Sequence, residues 1–259
     1  MNILEKILET KRGEIAQRKT EVSLEQVRAC ALQAPVPPKF SSAFQGPEMG
    51  IIAEVKHQSP SAGIIREPFL PAEIAQAYQR GGANAISVLM DKEYFGGGEA
   101  HFREVRKAVD LPLLYKEFVV DPWQVWHAKK IGASGVLLIA AALNDDELKS
   151  LSDEVAEAGL EVLLEVHDQE ELDRALALKA PMIGINNRNL KTFVTTLDTT
   201  LSLAKQLPEE TILISESGIR TAQDLDTLAA AGAKGVLVGE SLLRQDNVQD
   251  AVKQLRSTS

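Results

Sequence analysis

The chain has 259 residues, of which 44% are apolar and 25% charged, and a net charge of −9. These proportions are ordinary for a globular protein and exclude collagen-like, mucin-like and largely disordered chains. An acidic surface repels nucleic acid and anionic membrane, so an anionic ligand must be held by a local cluster against the overall field.

The first residues place Ile3, Leu4, Ile7 and Leu8 at helical spacing with acids between them. A secretory signal needs an unbroken apolar run and a transit peptide avoids acids, so neither fits. No stretch approaches the ~18–20 apolar residues of a spanning helix. A second helix opens at Ser23, where Ser23 and Gln26 fit a capping box, and Pro35, Pro37 and Pro38 end it. Residues 1–47 therefore read as a helical prelude, either a plug for one end of the following domain or a cover over a ligand. Cys30, the single cysteine, lies in this prelude; it cannot close an internal disulfide, and secretion gains no support from it.

From residue 51 the chain alternates. Eight short β-rich apolar runs follow: Ile51–Val55, Asn84–Leu89, Leu111–Tyr115, Gly135–Ile139, Leu160–Val166, Pro181–Ile185, Thr211–Ser215 and Gly235–Val238. Each gap holds a polar turn and a segment of helical pattern, as in Asp145–Ala158 and Thr221–Ala231. Runs apolar on both faces indicate strands buried on both sides, hence a parallel sheet. Gly82, Gly132, Gly159 and Gly232 stand where each would close a helix in the left-handed conformation. No G-x-G-x-x-G is present, since the position after Gly96-Gly97-Gly98 that would need glycine is His101. Eight regular βα units predict an α/β (β/α)8 TIM barrel rather than a doubly wound sheet. Without a Gly-, Ser- or Pro-rich linker after residue 50, residues 1–259 read as one domain.

The reactive face of such a barrel lies at the C-terminal ends of its strands. Glu54 and Lys56, two apart at the end of the first, both point into the mouth by period-two alternation. Lys116 and Glu117 end the third, Glu165 lies near the end of the fifth, Asn186, Asn187 and Arg188 end the sixth, and Glu216 and Ser217 end the seventh. Lys56 and Lys116 with Glu54, Glu165 and Glu216 around one mouth are not a packing solution, because buried charge is costly unless paired. Burial lowers a lysine pKa and neighbouring glutamates raise it again. The expected balance is a lysine that donates a proton near neutral pH and a glutamate that accepts one. The four histidines have no metal-ligand spacing and read as loop or surface residues; His57 and His167 lie beside the mouth. The turns Ser215-Glu216-Ser217-Gly218-Ile219 and Val238-Gly239-Glu240-Ser241 let backbone amides approach an anion, with Ser59 to Gly63 completing the grip.

The stretch Ile52 to Ser61, read as E-x-K-x-x-S-P-S, resembles the signature of indole-3-glycerol-phosphate synthases. The similarity continues through Lys116-Glu117-Phe118, Glu165-Val166, Gly184 to Leu190, Glu216 to Ile219 and Val238 to Ser241, in order and over nearly the whole chain. The resemblance implies a cofactor-free lyase of tryptophan synthesis. The acidic, cysteine-poor chain suits a cytoplasmic enzyme, read here as a metal-free monomer with no nucleic-acid or membrane partner. Its substrate would be a phosphorylated small molecule, 1-(2-carboxyphenylamino)-1-deoxyribulose 5-phosphate. The family assigns Lys116 as general acid, Lys56 to the anthranilate carboxylate, Glu165 and Glu54 as proton acceptors or orienters, and Asn186, Glu216 and Ser217 to the substrate hydroxyls and the base network. Ser59 with the amides of Gly218, Gly239 and Glu240 would hold the phosphate. Arg188 would lie by the anthranilate moiety, with Phe95, Phe118 and Leu190 as walls for its ring.

Two positions depart from the family's more frequent R-K-D-F. Tyr115 stands where a helix-facing charge is usual, and Glu117 is a methylene longer than aspartate, which predicts a shifted contact with Lys116. Two other readings compete. A sugar-phosphate-binding paralogue without turnover would have no need of Lys116 and Glu165 together. A phosphoribosylanthranilate isomerase would need a Cys/Asp pair at strand ends, and Cys30 lies ahead of the barrel.

Overall fold

The computed structural model describes residues 2–189, 192 and 194–257. Eight parallel strands, Gly50–Val55, Ala85–Leu89, Leu113–Lys116, Gly135–Ile139, Glu161–Val166, Met182–Asn186, Ile212–Glu216 and Gly235–Val238, close into a barrel in sequence order. The first pairs with both the second and the eighth, which shuts the ring. The fold is thus the expected (β/α)8 barrel, and each strand begins within two residues of its expected run. The largest shift is in the third, which opens at Leu113; the preceding Pro112 has no N–H to give the ladder. The strands are buried because side chains fill the barrel on one face and helices cover the other.

The helices are α1 (Ile3–Glu21), α2 (Leu24–Leu32), α3 (Pro71–Gly81), α4 (Glu99–Ala108), α5 (Pro122–Lys130), α6 (Asp145–Glu157), α7 (Gln169–Ala177), α8 (Asp198–Leu203), α9 (Ala222–Ala230), α10 (Glu240–Leu243) and α11 (Val248–Arg256). Their starts follow from local chemistry. Ser23 Oγ accepts from the Gln26 amide while Gln26 Oε1 accepts from the Ser23 amide, so the expected capping box opens α2. The same reciprocal pair opens α5, α6 and α9 at Asp121/Gln124, Asn144/Glu147 and Thr221/Asp224. Gly82 ends α3 at φ 98°, a conformation costly for any residue with a Cβ.

The prelude serves both ends of the barrel. Phe40–Phe44 forms a 3-10 turn whose two rings meet edge to face with centroids 5.6 Å apart. It sits against the N-terminal ends of the strands. A Cβ on Gly50 would lie 2.6 Å from a Phe44 ring carbon and one on Gly235 at 2.7 Å, so glycine at both strand starts makes room for the plug. The Ser41 amide and hydroxyl both donate to Glu161 at the base of the fifth strand. α2 packs on α5, where Trp123 Nε1 donates to Val22 O at 2.8 Å and the Arg28 guanidinium lies 4.6 Å from the Trp126 ring centre. α1 runs across the opposite face, and its Ile3, Leu4 and Ile7 reach the cavity there. One segment of the prelude thus packs against the base of the barrel and another lines the cavity at its other end.

Candidate active site

A cavity of about 900 Å³ opens at the C-terminal ends of the strands. It is lined by Glu54, Lys56, Lys116, Glu165, Asn186, Glu216 and Ser217, and by Ser59, Phe95, Phe118, Arg188, Gly218, Gly239 and Glu240. Every expected site residue therefore converges here except Leu190, which lies outside the described residues.

Lys116 is the hub. Its Nζ donates to Glu165 Oε2 and Glu216 Oε2, each at 2.9 Å. Lys56 Nζ donates to Glu54 Oε1 at 2.5 Å, the contact that alternation along the first strand predicts. Buried Tyr78 of α3 donates to Glu54 O at 3.0 Å and so fixes the end of that strand. Asn186 Nδ2 donates to Glu165 Oε1 at 3.2 Å. His167 supports the same carboxylate from behind: its Nε2 lies 3.2 Å from Glu165 Oε1 and its Nδ1 3.0 Å from Glu171 Oε2. The Nε2 contact is an ion pair outside hydrogen-bond alignment. Glu216 fits only because residue 184 is glycine; a Cβ there would stand 2.2 Å from Glu216 Oε1.

Each charge has a physical setting. Burial works against the Lys116 ammonium, but Glu165, Glu216 and Glu54 outweigh it and hold its pKa well above the ordinary lysine value. Burial also opposes the Glu165 carboxylate, yet Lys116 and His167 hold its pKa well below the carboxylate range. Lys56 and Lys116 do the same, against burial, for Glu54. In Glu216 burial prevails: with the Glu165 charge beside it, its pKa is pushed up despite Lys116. His167 loses solvation, but the Glu165 and Glu171 carboxylates on either side raise it to about 10.

The other flank is built from turns. Ser217 and Gly218 both have left-handed φ, 66° and 82°; Ser217 carries the strain that non-glycine residues pay there, a feature that clusters at functional sites. Ser241 Oγ donates to Ile219 O at 2.9 Å and ties the seventh turn to the eighth. Gly239 faces the acid–base cluster, since a Cβ would lie 2.5 Å from Glu54 Oε1. Ser59 is buried in a short hairpin between residues 58 and 64, where its Oγ accepts from the Ala62 amide at 3.2 Å. Arg188 Nη1 reaches Ser61 Oγ at 3.4 Å, closing the rim over the sixth strand.

A sequence model of indole-3-glycerol phosphate synthase matches residues 4–255. A protein of that name from Acidithiobacillus ferrooxidans is 47% identical over 260 residues, 98% of each chain. The chain belongs to the indole-3-glycerol phosphate synthase family. Another relative of that name, from Azospirillum brasilense, is 44% identical over 258 residues and 98% of each chain. Among solved structures, a thiamine phosphate pyrophosphorylase from Pyrococcus furiosus superposes with a TM-score of 0.59 at 15% identity, over 80% of this chain and 94% of that one. An N-acetylmannosamine-6-phosphate 2-epimerase from Clostridium perfringens gives 0.58 at 19%, over 74% and 86%. At such identities these two speak for the barrel alone.

Within this indole-3-glycerol phosphate synthase fold, several expectations need correction. Glu117 does not contact Lys116; its Oε2 takes the Lys11 ammonium of α1 at 3.1 Å, because consecutive strand residues point to opposite sides. Lys116 is not tuned down toward neutrality, since three carboxylates surround it. His127, in α5, is not a loop or surface residue; His167 lies in the loop after the fifth strand as expected, but is turned in against Glu165 and Glu171. His127 is buried, stacked on Trp123 and joined to Glu99 and Tyr115, which does face the helices. The sequence reading also missed Ile3, Leu4 and Ile7, and Arg220 and Arg244 at the rim. The apolar stripe of α1 was visible, but not the end of the barrel it covers. Among the described residues no three His, Cys, Asp or Glu side chains are grouped to hold a metal ion, and no helix is long and apolar enough to cross a membrane.

Proposed function

We propose that the protein is a carboxy-lyase that converts 1-(2-carboxyphenylamino)-1-deoxyribulose 5-phosphate to indole-3-glycerol phosphate by ring closure, decarboxylation and dehydration, with Lys116 as general acid. The observation that carries this reading is a single ammonium 2.9 Å from two buried carboxylates in the cavity at the mouth of the barrel. As the aromatic carbon attacks the ketone, the ketone oxygen becomes an alkoxide. An alkoxide is far more basic than any amine, so even a firmly protonated Lys116 delivers its proton. The site thus matches the charge that develops rather than the neutral ketone. Loss of carbon dioxide then restores the aromatic ring, and loss of water completes the indole.

The remaining residues follow from their places. Lys56 balances the anthranilate carboxylate and supplies a proton for the departing hydroxyl. Glu165, kept ionised by its neighbours, is a proton acceptor at neutral pH, and Glu54 orients Lys56 or accepts in turn. Asn186, Glu216 and Ser217 orient the substrate hydroxyls and the bases. Ser59 and the amides of Gly218, Gly239 and Glu240 take the phosphate. Phe95 and Phe118 form the ring wall, and Arg188 stands beside the anthranilate. The reading includes a cytoplasmic monomer in which residues 1–259 form one domain, as the apolar core shared by prelude and barrel supports.

Incubating the purified protein with this substrate and following indole fluorescence tests the proposal. The expected result is time-dependent formation of the indole product without added cofactor. Binding of the substrate without turnover would instead favour a sugar-phosphate-binding paralogue.

A further inference from the structure

Lys11 is 2% exposed, and lysine is rarely buried unless paired. It sits on the inward face of α1, one turn beyond Ile7, which lines the cavity. Its Nζ lies 2.7 Å from Glu14 Oε2, 3.0 Å from Asp91 Oδ2 and 3.1 Å from Glu117 Oε2. The Asp91 contact is ionic and outside hydrogen-bond alignment.

The other oxygens of the two barrel carboxylates are also used. Asp91 Oδ1 accepts from the amides of Tyr94 and Phe95, at 2.7 and 3.3 Å. Glu117 Oε1 accepts from the Phe118 amide at 2.8 Å. Phe95 and Phe118 are the two rings of the cavity wall, with centroids 6.0 Å apart. One ammonium thus joins two carboxylates, and each carboxylate holds the backbone of one ring. Thr10 and Tyr94 hydroxyls add a second tie between α1 and the same loop at 3.2 Å.

We propose that Lys11 is a positioning residue for the aromatic end of the substrate, setting the separation of Phe95 and Phe118 and seating α1 against them. The inference rests on the reading of an aromatic substrate given above. The Lys11 ammonium pairs with Glu117 at the cavity edge but with none of Glu54, Glu165 and Glu216, the carboxylates that hold Lys56 and Lys116, so its effect falls on binding of the ring rather than on proton transfer.

The test compares wild type with Lys11→Met, which keeps the stem and removes the charge, and Lys11→Arg, which keeps the charge. The probe is anthranilate, followed by its own fluorescence, so the outcome does not depend on turnover. Inorganic phosphate, as a competitor, reports on the opposite end of the cavity. Lys11→Met should weaken anthranilate binding and raise KM by about tenfold, leave kcat within about threefold and leave phosphate inhibition unchanged. Lys11→Arg should recover most of the loss. Should Lys11→Met fail to fold, Lys11→Met combined with Glu117→Gln removes one of the stranded carboxylates and is measured in the same way. Unchanged anthranilate binding and KM, a fall in kcat alone, or parallel weakening toward anthranilate and phosphate would overturn the proposal, as would wild type that binds no anthranilate. Wild type that binds anthranilate but does not turn the substrate over would reject the proposed reaction while the Lys11 comparison is still decided.

Discussion

Glu165 shows how one side chain acquires a role from its neighbours. Lys116, Asn186 and His167 surround its two oxygens. His167 is itself clamped by Glu171, so its folded pKa of about 10 lies above the ordinary 6.5. A raised pKa means that the folded protein holds this proton more tightly than the unfolded chain. The stability it contributes is therefore full below pH 6.5 and is lost as pH rises from 6.5 to about 10, at up to ~1.4 kcal/mol per pH unit. Urea denaturation at pH 6.5 and 9 should show wild type losing more stability across this window than His167→Gln. The acid limb of kcat/KM should move to higher pH in the variant, since Glu165 loses a neighbouring cation. Equal pH dependence in the two proteins would show that the imidazole carries no charge there. Of these residues, Glu54, Lys56, Lys116 and Glu165 were legible because strand alternation and strand ends assign a direction. The place of His167 beside the mouth was legible too, but not its charge, which depends on Glu171, brought back against it by the helical turn after the strand.

At the scale of elements, the eight βα units were legible from hydrophobic runs and turn chemistry. The Ser23 capping box fixed the start of α2 to the residue. The prelude's division of labour was not legible. A helical apolar stripe states that α1 is buried on one side but not which end of the barrel it meets. The deciding contact, Lys11 to Glu117, spans 106 residues. The plug, by contrast, belongs to stability. Phe44 is 6% exposed and fills the space that Gly50 and Gly235 leave open. Phe44→Ala should cost about 3–5 kcal/mol in a denaturation experiment while KM stays within twofold of wild type, because the plug and the cavity lie at opposite ends of the strands. A large change in KM would mean that the base of the barrel is coupled to its mouth.

The whole molecule gathers cations and carboxylates around one cavity inside an acidic protein. With a net charge of −9, long-range attraction does not favour an anionic substrate. Lys56 and Lys116 are balanced by Glu54, Glu165 and Glu216, and Arg244 by Glu240, so Arg188 and Arg220 at the rim are the cations that meet an anion at short range, where a low dielectric strengthens the attraction. Barrel closure makes this possible, because it brings the ends of the first, third, fifth, sixth and seventh strands around one cavity. Their convergence gives Lys116 its role, and steady-state turnover of Lys116→Ala against wild type, with folding checked by circular dichroism, measures it most directly. A fall in kcat of about 10²–10⁴ is expected of a general acid. A variant that forms the indole product at the wild-type rate would contradict the assignment of Lys116 as the proton donor.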